Sequence, residues 1–256
     1  MQFLDVSFQS PAENLACDEA LLESAARGQT PPTLRFWESP TYFVTLGYTN
    51  RAAQEANLAV CAARGVAVLR RCSGGGTVLQ GPGCLNYALV YPIPPGSALQ
   101  VTATNDFVME TNRRALQNVM GVPVERAGQT DLAIGGRKFS GNAQKRKPNY
   151  FLFHGTLLLD FDLELVQTLL LAPPKQPDYR AHRSHLEFIR NLGVSRESIK
   201  TALREAWSAE AWNEKAWSEK LEENSENPQK MRGWPRELTQ NLVAQKYARP
   251  EWNLKF

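Results

Sequence analysis

The chain has 256 residues, of which 43% are hydrophobic and 21% charged, and its formal net charge is +3. That length supports one large domain, or one domain with a small appendage, around a sizeable core. The mild charge argues against nucleic acid as the main partner and fits an anionic small molecule or an acidic protein.

No apolar run approaches the ~20 residues of a membrane span, and Met1–Asp5 lacks the basic and apolar regions of a secretion signal. Cys17, Cys61, Cys72 and Cys84 show neither CxxC pairing nor the density of a disulfide scaffold. The expectation is a cytoplasmic protein without a membrane partner.

Residues 2–8 read as a first strand. Ser10, Pro11 and Glu13 read as a helix start, with Ser10 as cap, Pro11 in the first turn and Glu13 closing a capping box. Leu15, Ala16, Ala20 and Leu21 supply an apolar face to about Ala26, and Gly28 and Pro31-Pro32 end it. Thr33–Trp37 and Tyr42–Leu46 read as strands joined by a Ser39-Pro40 turn, followed by a helix from Arg51 to Arg64.

Val66–Leu69, valine-rich and expected to be a central strand, leads into Arg70-Arg71-Cys72-Ser73-Gly74-Gly75-Gly76-Thr77-Val78. Glycine lets backbone lie against a ligand, and arginine offers a forked donor for carboxylate or phosphate. By itself the stretch fits an anion loop and a glycine-rich turn equally well. Leu85–Tyr91 is nearly continuously apolar, as expected of a strand buried on both faces. Pro92, Pro94 and Pro95 stop it, and Thr104 or Asn105 then caps a helix to Met120.

Gly135-Gly136 between Asp131–Ile134 and Arg137–Ser140 predicts a two-residue hairpin, with Ile134 opposite Arg137 and Ala133 opposite Lys138. Simple alternation places Leu132, Ile134 and Phe139 on a core face, and Asp131, Ala133, Lys138 and Ser140 on a polar one. Phe151–Leu159 reads as a further strand with His154 and Thr156 on one side. A helix near Asp162 is broken by Pro173-Pro174 and Pro177, and residues 178–192 form a polar segment. Trp207, Trp212 and Trp217 recur every five residues over Ala206–Lys220. That period does not match the helix repeat of 3.6, so they form no single stripe on this charged surface helix. Glu222–Lys230 reads as a polar linker before a last helix at Arg236–Lys246.

Interleaved helices and hairpin-like connections predict an α/β (α+β) fold, a mixed and largely antiparallel sheet flanked by helices. The predicted layout is a domain over residues 1–192 with a helical extension, 193–256, packed upon it.

Three ordered motifs carry a family resemblance. The Arg70–Val78 stretch resembles the glycine-rich motif of lipoate–protein ligases. Thr130-Asp131-Leu132 followed by Gly136–Ala143 resembles that family's lysine motif, and Phe153-His154-Gly155-Thr156-Leu157-Leu158 its next strand. Asn14–Leu22 and Leu34–Trp37 add supporting matches. The resemblance implies a biotin/lipoate ligase-type catalytic domain that activates lipoate, or octanoate, with ATP and Mg²⁺ to an acyl-adenylate. The acyl group then passes to a lysine of an apo lipoyl domain, in a 2-oxoacid dehydrogenase or a glycine cleavage H protein.

It implies Lys138 as the catalytic residue, offsetting charge between carboxylate and phosphate. Arg71, Ser73, Gly74, Gly75, Gly76, Thr77, Asn86, Asp131, Ser140, Gly141, Ala143, His154, Gly155 and Thr156 are the implied binding residues. Mg²⁺ would arrive with ATP, with Asp131 as a candidate ligand. The family's accessory C-terminal domain is not evident, so a separate accessory polypeptide is an expected partner.

The chain departs from the ligase pattern at Gln80-Gly81, where His-Asp is frequent, at Gly83-Cys84 in place of Gly-Asn, and at Phe153 in place of a first histidine. Leu79-Gln80-Gly81-Pro82-Gly83 resembles the related octanoyltransferases, which take an acyl group from acyl carrier protein onto a cysteine. Phe151 stands at one expected cysteine position, and no cysteine follows Cys84. That favours ligase. An ATP-independent octanoyl or lipoyl transferase is the alternative, and a non-catalytic acyl-binding or docking protein a second one.

Overall fold

A nine-residue strand at the centre of the molecule explains the unbroken apolar run. In the computed structural model, which describes residues 1–93, 100–209 and 233–256, β6 (Cys84–Pro92) lies between β2 (Thr33–Trp37) and β10 (Tyr150–Leu158). Both faces of β6 are covered, so neither tolerates polar alternation. The sheet continues through β9 (Arg137–Arg146), β8 (Asp131–Ile134) and β7 (Glu125–Ala127) on one side and β1 (Gln2–Asp5) on the other. Among the described strand pairs of this sheet, β1–β2 is parallel and the others antiparallel. This is the mixed, largely antiparallel sheet flanked by helices that the pattern predicts.

Helix α1 (Pro11–Ala26) packs on one face of this sheet, with Cys17, Leu21, Leu22 and Ala25 against Ala88, Val90 and Leu152. On the other face, α4 (Val101–Met120) and α7 (Arg196–Ala209) bury Val108, Leu116, Ile199, Leu203 and Trp207 against Tyr87, Phe151 and Phe153. A second sheet holds β3 (Phe43–Leu46) between β4 (Ala67–Arg70) and β5 (Val78–Gln80). Strand β4 is therefore an edge strand, not the central strand expected from its valines. β5 and β7, three residues each, are too short for a periodic signal.

Local chemistry moved several boundaries. The first strand ends at Asp5. Ser10 caps no amide with its side chain. Asn14 takes over the entry to α1, accepting from Phe8 N at 3.1 Å and donating to Phe8 O at 2.8 Å. The helix expected over residues 51–64 is two short ones, α2 (Ala52–Glu55) and α3 (Leu58–Ala63), because Asn57 leaves helical geometry to cap Val60 N. Helix α4 starts at Val101 rather than Thr104. Beyond β10 come α5 (Leu163–Leu169), a 3-10 turn at Asp178–Arg180, and α6 (His185–Phe188). The chain closes with α8 (Arg236–Leu242), a π-helical turn at Val243–Tyr247 and α9 (Pro250–Asn253). Of the tryptophan echo, Trp207 is buried in α7. Trp212, Trp217, the linker at Glu222–Lys230, Pro94 and Pro95 lie outside the described residues. Among the described residues no helix is long and apolar enough to cross a membrane.

Candidate active site

The site is built on the α1-facing side of the central strands. Antiparallel register aligns Asn86, Thr156 and Gly141 in one row and Ala88, His154 and Ala143 in the next. Directly opposed residues share a face. Gly141 and Ala143, both half-buried, put little or no side chain beside Thr156 and His154, while Ala88 is covered by α1.

Lys138 reaches this face through a β-bulge. Gly135 and Gly136 turn with φ of +58° and +68°, and Ile134 and Ala133 pair with Arg137 and Lys138 as predicted. The register then slips, so that Leu132 opposes Ser140. The extra residue reverses the alternation beyond Phe139. Ser140 consequently does not share a face with Lys138; it turns to the core side, where its hydroxyl accepts from Asn142 Nδ2 at 3.2 Å. Gly141 takes the place beneath Lys138, and a Cβ there would stand 2.6 Å from Lys138 Nζ. The ammonium pairs with Asp131 Oδ1 at 2.8 Å, and the other Asp131 oxygen accepts from Tyr179 OH at 2.7 Å. Burial, then the Asp131 charge, raises the Tyr179 pKa and keeps its hydroxyl a donor. Both Asp131 oxygens are thus committed, which does not suit a dedicated Mg²⁺ ligand. Among the described residues no group of three or more His, Cys, Asp or Glu side chains is arranged to hold a metal.

Gly155 faces the opposite side, where a Cβ would come within 1.8 Å of Asn142 Oδ1. Asn142 there accepts from Tyr87 OH at 2.6 Å and donates to Thr130 O at 2.7 Å. The role of Gly155 is to let β10 pass this network.

The glycine loop lies over the sheet. Gly75 adopts φ of +86°, and its Cβ position is 3.5 Å from Ala143 Cβ. Gly47 permits the approach from the other side, since a Cβ there would stand 2.0 Å from Gly75 O. Arg71 folds into the loop and donates to Gly74 O at 2.5 Å, Gly76 O at 2.8 Å and Ser73 Oγ at 3.0 Å. Burial lowers its pKa to about 10, which leaves it charged at neutral pH. In this arrangement Arg71 is a clasp for the loop, not the free charge partner expected from sequence. Thr77 anchors the far end by accepting from Asn50 at 3.1 Å. The Arg70 guanidinium donates to backbone carbonyls, among them Gly47 O at 2.8 Å and Asn253 O at 3.0 Å.

Behind the loop runs a buried polar chain. Ser73 Oγ is 2.5 Å from His154 Nε2, and His154 Nδ1 is 3.2 Å from Asp18 Oδ2. Asp18 Oδ1 accepts from Arg35 Nη1 at 2.6 Å. Arg35 is fully buried and also donates to Asn14 and to Val6 O. Asp18, Arg35 and Tyr179 are absent from the residues expected at the site. The signal for Arg35 was legible: it interrupts the apolar run Leu34–Trp37, and buried charges are kept only when paired, whereas Asp18 stands beside other acids of α1 and carries no such mark. Asn86 belongs to a separate buried chain, accepting from Gln80 Nε2 at 2.5 Å while Thr45 donates to Gln80. Gln80 thus fills the His-Asp position with a neutral hydrogen-bonded group.

All four cysteines are buried and free. Burial pushes the Cys72 thiol up to about 12 and Cys17 up to about 11, and it raises Cys61 and Cys84 as well. None is poised as a thiolate. Cys72 packs beneath the loop against α1.

This architecture is that of solved lipoate ligases. A bi-partite lipoate protein ligase from Thermoplasma acidophilum, studied with its E2 lipoyl domain, superposes with a TM-score of 0.77 at 23% identity, covering 99% of this chain and 95% of that one. A lipoate-protein ligase A bound with ATP gives 0.76 at 24% identity, covering 99% and 98%. In sequence, octanoyltransferase LipM of Kyrpidia tusciae is 31% identical over 96% of this chain and 95% of its own length. Residues 10–208 match the family model of the lipoyl protein ligase A/B catalytic domain, and the chain belongs to that family.

Proposed function

We propose that the chain transfers an octanoyl or lipoyl group from a thioester donor to the lysine amine of a lipoyl domain, without ATP. The similarity to octanoyltransferase LipM favours transfer over the ATP-dependent ligation expected from the motifs. The observation that carries acyl chemistry at this site is Lys138, whose ammonium is held by Asp131 above the gap left by Gly141. A fixed cation there offsets the negative charge that develops on a carbonyl oxygen as it becomes tetrahedral. The acceptors are apo lipoyl domains of 2-oxoacid dehydrogenases or of a glycine cleavage H protein. Four free cysteines fit a cytoplasmic setting.

A second reading is ATP-dependent lipoate ligation through an acyl-adenylate. It is favoured by the buried, high-pKa thiols, because thioester transfer needs an activated nucleophile and no cysteine supplies one. Under it, Lys138 lies between the lipoate carboxylate and the α-phosphate, and a separate accessory polypeptide is the further partner. The two readings separate in one assay. Octanoyl-acyl carrier protein and an apo lipoyl domain, incubated with the protein without ATP, give an octanoyl mass gain on the lipoyl domain. A gain seen only with free acid, ATP and Mg²⁺ replaces transfer by ligation.

A further inference from the structure

We infer that Ser73 is the nucleophile of the acyl transfer, with His154 as its general base and Asp18 as the carboxylate that orients the imidazole. The inference rests on the transferase reading and supplies the group which that reading lacks.

The hydrogen-bond partners fit one arrangement of the protons. Arg71 Nε donates to Ser73 Oγ at 3.0 Å, and a guanidinium has donors only. The neighbour left to accept the Ser73 hydroxyl proton is His154 Nε2, at 2.5 Å. The neutral imidazole then carries its proton on Nδ1, facing Asp18 Oδ2 at 3.2 Å. Asp18 is itself held by Arg35 at 2.6 Å and is 1% exposed, so it cannot swing away. Hydroxyl, imidazole and buried carboxylate stand in the order and tautomer of a nucleophile–base–orienter relay. Arg71 adds a positive charge beside the oxygen that must become nucleophilic.

Placement supports the same role. Ser73 leads into the glycine loop, whose Gly75 has its Cβ position 3.5 Å from Ala143 Cβ, and Ala143 pairs directly with His154. Ser73 is only 1% exposed with the loop held by Arg71. Acylation therefore requires Gly74–Gly76 to lift, and reclosure would shield the product ester from water.

The chemistry balances without a redox partner. Ser73 Oγ attacks the thioester carbonyl carbon as its proton passes to His154 Nε2. The C–S bond breaks, and the leaving thiolate takes that proton as a thiol. The neutral lysine amine of the lipoyl domain then attacks the ester carbon. The Oγ–C bond breaks, the serine recovers a proton through His154, and an amide remains. Thioester to ester to amide is downhill at each step.

The test uses the full chain, octanoyl-acyl carrier protein, acid quenching and peptide mass mapping. The expected result is one octanoyl group on the peptide containing Ser73, stable to neutral hydroxylamine. Ser73→Ala lowers transfer to the lipoyl domain by about 10³-fold or more. His154→Gln lowers it comparably. Ser73→Cys retains measurable transfer and makes the adduct sensitive to neutral hydroxylamine, as a thioester is. Undiminished transfer by Ser73→Ala, or an acyl group mapped to another residue, overturns the nucleophile while leaving the transferase standing. A wild-type chain that acylates no lipoyl domain from the thioester overturns the transferase itself.

Discussion

The Lys138 ammonium keeps a partner without being buried by it. Asp131 holds one side, Gly141 opens the other, and the lysine side chain stays 23% exposed. Lys138→Met removes the cation while Asp131 retains Tyr179 as a donor, so the fold is expected to persist. Loss of a charge that acts mainly in the transition state lowers kcat more than it raises KM. The expected fall in kcat/KM is about 10²–10³-fold, measured as lipoyl-domain acylation. Gly155 behaves differently, because its neighbour cannot yield. Asn142 is tied to Tyr87, Thr130 and Ser140, and Gly155→Ala is expected to destabilise by roughly 1–3 kcal/mol in urea unfolding, through strain and lost buried hydrogen bonds.

His185 gives a pH dependence whose sign follows from its surroundings. Burial lowers its pKa below 6.5; Arg180 and Lys138 lower it further, and a hydrogen bond to Leu171 O opposes them. The unfolded chain therefore binds this proton more readily than the folded one. The stability linked to His185 is complete above pH 6.5 and is lost as pH falls through the lower folded value. The urea midpoint is expected to drop between pH 7.5 and 5, and His185→Gln is expected to flatten that drop.

At the scale of elements, the glycine loop depends on a segment remote in sequence. The Arg70 guanidinium donates to Gly47, Tyr48 and Asn50 carbonyls on one side and to Trp252 and Asn253 carbonyls on the other. Asn253 Oδ1 also accepts from Arg70 N, and Trp252 Nε1 donates to Arg70 O. Ending the chain at Arg249 strips Arg70 of these acceptors and leaves a buried charge half-satisfied. Amide exchange over residues 71–77 is expected to accelerate by at least about tenfold, as local opening costs less. β6 and β10 in the central sheet are expected to keep their protection. Unchanged loop exchange would show that Arg71 alone is a sufficient clasp.

The same elements show what a sequence pattern can carry. The Gly-Gly hairpin was legible because φ > 0 at two adjacent residues is a local demand. The bulge after Lys138 was not, since nothing in Lys-Phe-Ser-Gly marks the extra residue, and so Ser140 was assigned to the wrong face. Arg71 shows a related limit. A residue type announces what it can donate, but the carbonyls of Gly74 and Gly76 decide where it donates. The Ser73–His154–Asp18 chain links His154 to a residue 81 positions away on one side and 136 on the other, and only the sheet register and the seat of α1 bring them together.

Across the whole molecule, the two sheets meet at the glycine loop, which closes on the central sheet with Ser73 beneath it. A ligand that enters there must bind the folded state alone, because no unfolded segment reproduces loop, lysine and sheet together. At about 100 times its dissociation constant such a ligand adds about 2.7 kcal/mol to stability. For a chain of this size that corresponds to a rise of roughly 5–10 °C in Tm. The two readings differ in which ligand does this. If the acyl group is received from a thioester, an octanoyl amide analogue of the carrier's thioester raises Tm by itself, and ATP adds nothing. If the acid is activated first, ATP raises Tm, and an octanoyl-sulfamoyl adenosine analogue raises it most, since it fills the acyl and nucleotide positions at once. Lys138→Met is expected to weaken the adenylate analogue's effect far more than the neutral amide's, because only the former places negative charge beside the ammonium. Thermal scans with both ligands on both proteins therefore test the donor and the role of Lys138 together.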